Sequence, residues 1–585
     1  MVDLTKKPYE LDAARIAWVS QTIASMTEDE KICQLFAGMG AVKEENYLKG
    51  YVSRYPVGGF RYNPGTGRDI LKQNTVLQQN SKIPLLIAAN AEGGGDGVCV
   101  DGTAVGLPVK IGATGDAHYA YELGRICGTE AEAVGCNWLF APVVDISMNW
   151  RNPIVSRRCF SKDADQVLEF GKAYLKGVSE HSGCICAFKH FPGDGADERD
   201  QHLSRSVNPL SCEEWDATYG KVYRGLIDAG VESVMAGHIM LPSYSRRLNP
   251  DLPDSEILPA TLSEELLTGL LRGQLGFNGL IVTDATHMVG MTCEMKRSEA
   301  LPRSIAAGCD MLLFFNDPEE DLMFVKKGYE DGIITEERLN DALTRILGMK
   351  AKMGLTAPFT PAQDRLPLVH CADHMAVERE VAERSITLVK HLEDVFPVTP
   401  ERYPRVLIVP AKALSGPNLF TVVGGPARKT PAEKFSDMLR ADGFETEIYE
   451  SPFERMAKMP PEERGKELNI YFAAKTPVEG FVEKYDLVIT LTDVASYGQT
   501  VERISWGMSK GGGEIPWYVH ELPVIVVSLA SPFVLADVPQ ARNYINAYSD
   551  SDATLRALYG KLAGKTEFTG TDPVDAFCGM WDTRL

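Results

Sequence analysis

Residues 187–202 read Ala187-Phe-Lys-His-Phe-Pro-Gly-Asp-Gly-Ala-Asp-Glu-Arg-Asp-Gln-His202, and the way an apolar run ends inside this stretch decides the fold. The run Cys184–Phe188 has the length of a buried strand and delivers Lys189 and His190 at its end. Pro192, Gly193 and Gly195 then forbid a regular element, so the chain opens into a loop. That loop carries six ionisable side chains between Asp194 and His202. A solvated loop is the plain alternative, and composition alone does not separate the two readings. Two details favour a site. Lys-His at the end of an apolar strand is costly to bury without partners. Asp200 and His202 lie two residues apart, close enough for the carboxylate to orient the imidazole as a base and its orienter.

Six more runs resemble Cys184–Phe188: Val57–Tyr62, Pro84–Ala89, Trp138–Val144, Val231–Ala236, Leu280–Thr283 and Met311–Phe315. Helical patterns separate them, among them Asp116–Ala133, Ala164–Glu180, Cys212–Ala229, Ser263–Gln274 and Arg297–Ala307. Met26-Thr-Glu-Asp-Glu-Lys-Ile-Cys-Gln-Leu35 opens a helix with a capping box at Thr27 and Glu30. Alternating strands and helices predict parallel pairing through right-handed crossovers. About 300 residues of this pattern is the size of a (β/α)₈ TIM-like barrel, with seven strands visible instead of eight. Asn90, Asp145, Lys189-His190, His238 and Asp284 each fall at or just past the end of an apolar run. In such a barrel those ends form the face on which active sites are built. One polar strand end is unremarkable, but five coinciding ones point to a common site.

Beyond the helix Glu336–Lys352, Thr356-Ala-Pro-Phe-Thr-Pro-Ala-Gln-Asp-Arg-Leu-Pro367 is proline-rich and aperiodic, a linker by composition. We therefore divide the chain into a barrel at 1–355, a linker and connecting helix at 356–390, and a second domain at 391–585. Cys371–Leu388 reads as the connecting helix; Val406–Val409, Asp486–Leu491, Val524–Leu529 and Tyr544–Ala547 read as buried strands of an open α/β sheet. Gly511-Gly-Gly513 reads as a turn, not a phosphate loop.

The 585 residues carry a net charge of -20, which argues against nucleic acid and anionic membrane surfaces as partners. No apolar run approaches a membrane span, and the N-terminal residues lack a secretory h-region. Twelve cysteines lie scattered with no short-spaced framework, so reduced thiols in a cytoplasmic protein are expected. Cys184 and Cys186 alone do not make a metal site, and neither metal nor cofactor is expected.

With these residues laid out, the chain resembles glycoside hydrolase family 3, most closely its β-N-acetylglucosaminidase branch. Lys189-His-Phe-Pro-Gly-Asp-Gly-(x)4-Asp-Gln-His202 is similar to that branch's signature K-H-F-P-G-H-G-(x)4-D-S-H. Gly276-Phe-Asn-Gly-Leu-Ile-Val-Thr-Asp284 looks like the segment that carries the family's aspartate nucleophile. Ala141-Pro-Val-Val-Asp145 and Arg158-Cys-Phe-Ser-Lys-Asp163 resemble its sugar-binding loops, and Pro302–Met311 its late-barrel segment. The C-terminal half resembles the family's α/β sandwich domain. Three positions depart from the pattern: Asn90-Ala-Glu-Gly-Gly94 stands for Asp-Gln-Glu-Gly-Gly, Asp194 for the signature's middle His, and Ser161 for a frequent Gly.

The resemblance implies a retaining, exo-acting hydrolase of β-linked N-acetylglucosamine or a close relative. Asp284 would be the nucleophile, His202 the acid/base and Asp200 its orienter. Lys189, His190, Arg158, Asp145 and Asn90 would bind sugar hydroxyls. His238 reads equally as a sugar contact or as a structural histidine, and Glu92 as a residue that caps its glycine loop. The expected partner is a small carbohydrate; the sequence does not give an oligomeric state. A β-glucosidase and a glycoside phosphorylase of the same family stand as alternatives, and a non-catalytic sugar-binding protein as a third.

Overall fold

The structure, a computed structural model, describes every residue except 1, 41, 358–362, 413–428, 467–476, 496–502 and 507–514. Gly511-Gly-Gly513 and part of the proline-rich stretch lie outside the described residues. The chain forms two compact units. The described residues of one are 2–108 and 116–377; the other takes 109–115 and the described residues from 378 on.

The first unit is a closed parallel barrel. In chain order its segments are β1 (Phe36–Met39), β2 (Gly59–Arg61), β3 (Leu86–Ala89), β4 (Trp138–Leu139), β5 (Ile185–Phe191), β6 (Ser206–Val207), β7 (Ser233–Ala236), β8 (Ile239–Met240), β9 (Leu280–Ala285) and β10 (Met311–Leu313). Eight of them close in the order β1-β10-β9-β7-β5-β4-β3-β2, and β6 pairs with β8 outside the ring. Parallel strands need crossover helices, and those helices cover the barrel, so the strands read as continuous apolar runs. β5 is buried along its whole length, Lys189 and His190 included.

The eighth strand missing from the sequence reading is β1. It follows directly on the helix Glu28–Gln34, whose Thr27–Glu30 capping box forms as expected. Leu35-Phe-Ala-Gly-Met39 offers no turn signal and little β-branching, so its periodicity merges with the helix before it. The run Trp138–Val144 also behaves differently. Only Trp138–Leu139 is strand, and Val143 rejoins the barrel through a single bridge to Lys189, which sets Asp145 beside β5. The pattern read as one helix over Cys212–Ala229 is two, Cys212–Ala217 and Tyr219–Ala229.

Two features stiffen the barrel. Asp310, fully buried before β10, accepts from Arg272 at 2.7 Å and from Arg338, and takes the Ile281 N–H at 2.8 Å. The loop after β5 is pinned at several points. Ser206 and Val207 pair with Ile239 and Met240, while the carbonyls of Gln201 and His202 accept the N–H groups of Gly290 and Val289 at 2.9 and 3.0 Å.

The second unit is a six-stranded sheet of β11 (Thr387–His391), β12 (Arg405–Lys412), β13 (Glu445–Ile448), β14 (Leu487–Asp493), β15 (Val524–Ser528) and β16 (Asn543–Asn546), ordered β11-β16-β15-β14-β12-β13. All neighbours are parallel except β11 and β16. Alternate residues of β12, Val406 and Ile408 against Leu407 and Val409, belong to two separate apolar cores, one on each face of the sheet. β11 and β13 escape the sequence reading because they lie at the edges. β13 alternates exposed and half-buried residues, and β11 follows a helix, Ala372–Ser385, that was read as running on to Leu388. Among the described residues no helix is long and apolar enough to cross a membrane.

Candidate active site

The loop after β5 owes its path to glycine. Gly193 and Gly195 adopt φ of +117° and +111°. A Cβ on Gly193 would fall 2.3 Å from the Tyr219 ring, and one on Gly195 would fall 2.0 Å from the Ile146 carbonyl oxygen. Both positions therefore exclude any side chain. Trp215 Nε1 donates to the Pro192 carbonyl at 2.7 Å, and Tyr219 Oη to the Asp194 carbonyl at 2.5 Å.

This path sets Asp200 under His202. The buried Asp200 carboxylate takes the His202 backbone N–H at 2.8 Å and its Nδ1–H at 2.6 Å through the same oxygen, Oδ1. The imidazole itself is about half exposed, and no described residue claims its Nε2. Burial disfavours the imidazolium, but the Asp200 hydrogen bond and the charges of Asp284 and Asp200 outweigh it and hold His202 above its ordinary pKa.

Asp284 ends β9 with Oδ1 on the Ala285 N–H at 2.8 Å and Oδ2 4.0 Å from His190 Nε2. Burial opposes its charge, but His190, His238 and His202 around it hold the carboxyl below the usual carboxylate range. It is an ionised carboxylate ringed by imidazoles.

Asp145 turns into the protein. It is fully buried, with Oδ1 on the N–H groups of His190 (3.1 Å) and Asp194 (2.8 Å) and Oδ2 on His190 Nδ1 at 2.6 Å. Both of its oxygens meet protein donors, an arrangement that fixes the ring of His190. His238 also turns inward. Both ring nitrogens are taken, Nδ1 by Thr261 Oγ1 at 2.8 Å and Nε2 by the Ala285 carbonyl at 3.0 Å. A carbonyl only accepts, so Nε2 carries the proton and Nδ1 accepts from the threonine. Burial keeps this ring below the ordinary histidine pKa. These partners suit the structural reading of His238.

Glu92 is the residue sequence reasoning undervalued. Its carboxylate takes Arg158 Nε and Nη2 at 2.8 and 2.9 Å, and Lys189 Nζ lies 2.6 Å from Oε1. Burial works against its charge, but those two cations hold it far below the usual range. Two cations at one strand-end site need a buried anion, and Glu92 in its glycine-flanked loop was the available one. Asn90, at the end of β3, is half-buried, and its side chain makes no hydrogen bond with the described residues. Asp194 is buried under Asp145.

A carboxylate at one strand end, an Asp–His pair on the adjoining loop and a Glu–Arg–Lys cluster thus come together at the C-terminal mouth of the barrel. The family described as "Glycosyl hydrolase family 3 N terminal domain" matches residues 27–349, which hold every one of these groups. The chain belongs to glycosyl hydrolase family 3. A family 3 relative named beta-N-acetylglucosaminidase/beta-glucosidase, from Cellulomonas fimi, is 44% identical over 590 residues, covering 100% of each chain. Among solved structures, beta-glucoside phosphorylase BglX is similar with a TM-score of 0.89 and 38% identity, covering 99% of each chain. A family 3 beta-N-acetylglucosaminidase from Paenibacillus sp. str. FPU-7, at TM-score 0.73 and 24% identity over 94% of this chain and 99% of that one, shares the fold.

Proposed function

We propose that this family 3 chain is a retaining, exo-acting β-glycosidase whose substrate carries a terminal β-linked N-acetylglucosamine or a close relative. The observation that carries the reading is the 2.6 Å contact between Asp200 and His202 on the loop beside the ionised Asp284. Asp284 attacks the anomeric carbon as the glycosidic C–O bond breaks, giving a glycosyl-aspartate intermediate. His202, kept protonated by Asp200, gives its Nε2 proton to the departing oxygen. The neutral imidazole then takes a proton from an attacking water, and the C1–Asp284 bond breaks. Lys189, Arg158, His190 and Asn90 hold the sugar hydroxyls, Glu92 fixes the two cations, and Asp145 fixes His190. Neither a metal nor a cofactor enters these steps. Kinetics on aryl β-glycosides varied at C2 and C4 test the reading; no turnover on any of them, with ligand binding intact, overturns it in favour of a sugar-binding protein.

A second reading concerns the acceptor. After the first step the acid/base is a neutral imidazole, not a carboxylate, so it does not repel a phosphate dianion. The likeness to beta-glucoside phosphorylase BglX favours the same possibility. Release of sugar 1-phosphate in place of free sugar, in phosphate buffer, decides for phosphorolysis. The name of the Cellulomonas fimi relative joins two sugars, so β-glucosides belong in the same substrate panel.

A further inference from the structure

Asp194 stands where the family signature has histidine, and its surroundings do not suit a second charge. Its Oδ1 takes the Asn152 side-chain N–H and the Gly195 N–H, each at 2.7 Å. Its Oδ2 is buried with no hydrogen-bond partner among the described residues. Its own backbone N–H is committed to Asp145 Oδ1 at 2.8 Å, and both carboxyl groups are buried. The titratable groups facing it are Asp145 on the segment after β4, His190 on β5, and Tyr219 and Tyr223 on the helix Tyr219–Ala229. Of these, Asp145 holds three hydrogen bonds that suit an anion, whereas Asp194 has one bare oxygen. Next to another carboxyl group, an unpartnered buried oxygen costs far less as a neutral hydroxyl than as part of an anion; Asp200, whose Oδ2 is bare as well, differs in facing the His202 imidazole.

We propose that Asp194 is a positioning residue that carries a proton when the site binds sugar, so that Asp145 is the single buried anion holding His190 toward the sugar and Asp284. Burial, and next the Asp145 charge, push the Asp194 carboxyl up to about 6, consistent with this arrangement. Loss of the proton puts a second negative charge against Asp145 and loosens the His190 ring on which sugar binding rests. The acidic side of neutrality is then the binding-competent range. This inference rests on the assignment of His190 to the sugar site made above, but its main test does not.

That test is protein stability against pH. An acid raised in the folded state binds more protons folded than unfolded, so its contribution is lost as pH rises from the ordinary carboxyl range through about 6. Asp194→Asn removes that loss. The melting temperature of D194N relative to wild type is expected to rise between pH 4 and 7 and to level off above. A difference that stays constant with pH overturns the proposal. Should D194N fail to fold, D194S serves in its place: the same rise in relative melting temperature between pH 4 and 7 supports the proposal, and a difference constant with pH overturns it. The second arm measures binding of free N-acetylglucosamine, a neutral probe. Wild-type affinity should fall by up to about tenfold per pH unit above the midpoint, and D194N should lack that step. If D194N keeps the step while the stability arm succeeds, Asp194 is protonated but does not act through His190, and the positioning role fails.

Discussion

The Arg158 guanidinium grips Glu92 through two parallel hydrogen bonds, at 2.8 and 2.9 Å, while Lys189 reaches the same carboxylate from β5. Segments following β3 and β4 are thereby tied to β5 by one charge. Charge-assisted bonds of this kind are worth about 1.5–3 kcal/mol each. Glu92→Gln should therefore lower kcat/KM on aryl glycosides by roughly 10- to 100-fold, mostly through KM, since it disturbs groups that hold the sugar. A change under twofold means that the cations hold position without it.

Asp284→Ala should abolish turnover and leave the fold intact, because a strand-end side chain adds little to the core. A mechanism-based 2-fluorosugar should label Asp284. Labelling of another carboxylate, together with residual activity in the variant, removes Asp284 from its role.

Asp200 and His202 should behave as one unit. Single and double substitutions are expected to cost similar factors, with the largest losses on poor leaving groups, which need protonation. The pH dependence has a definite sign. His202 lies above its ordinary pKa because of Asp200 and Asp284, and it must be protonated for the first step. Activity in that step is thus lost as pH rises through the raised value, and Asp200→Asn should move that alkaline limb to lower pH. An unmoved limb, or strictly additive losses, counts against the pair.

Asn90→Asp tests specificity. An amide presents one acceptor and two donors without charge, where the family's aspartate presents acceptors only. The substitution should improve kcat/KM on an N-acetylglucosaminide relative to sugars altered at C4 or C6, by about tenfold if a neutral bond becomes a charged one. An unchanged ranking of the whole panel shows that position 90 does not select the sugar.

Asp310→Ala tests the barrel. It strands Arg272 and Arg338 without their buried anion, and breaking a buried ion pair from one side costs about 3–5 kcal/mol. A denaturation midpoint within error of wild type rules out a structural role for this cluster.

Much of this was legible before any coordinates. Apolar runs followed by polar residues are visible in a chain because a barrel buries whole strands and exposes only their ends. Asp200 and His202 stand out in the sequence because they lie two apart, and Asp284 because it closes a clean apolar run; the roles proposed for them come from the resemblance. What stayed hidden depended on partners far apart in the chain. Glu92 looks like a loop cap until Arg158 and Lys189, 66 and 97 positions away, are brought onto it. Asp145 and His238 sit at strand ends like sugar ligands, and only the donors around them show that their polar atoms are used internally. β1 was hidden by a helix that runs into it without a break.

The pinning of the loop after β5 has a consequence for how ligands arrive. His202 sits on a segment latched at the Val289 and Gly290 amides and zipped to β8, so its place exists before anything binds. An inhibitor that meets this nitrogen recruits no disordered loop and forfeits little chain entropy on docking. Its capture should look like a single fast step, without the slow tightening that follows closure of a flap. The Val289 and Gly290 amides should be among the last in the barrel to exchange their hydrogens with solvent, whether or not the sugar site is filled.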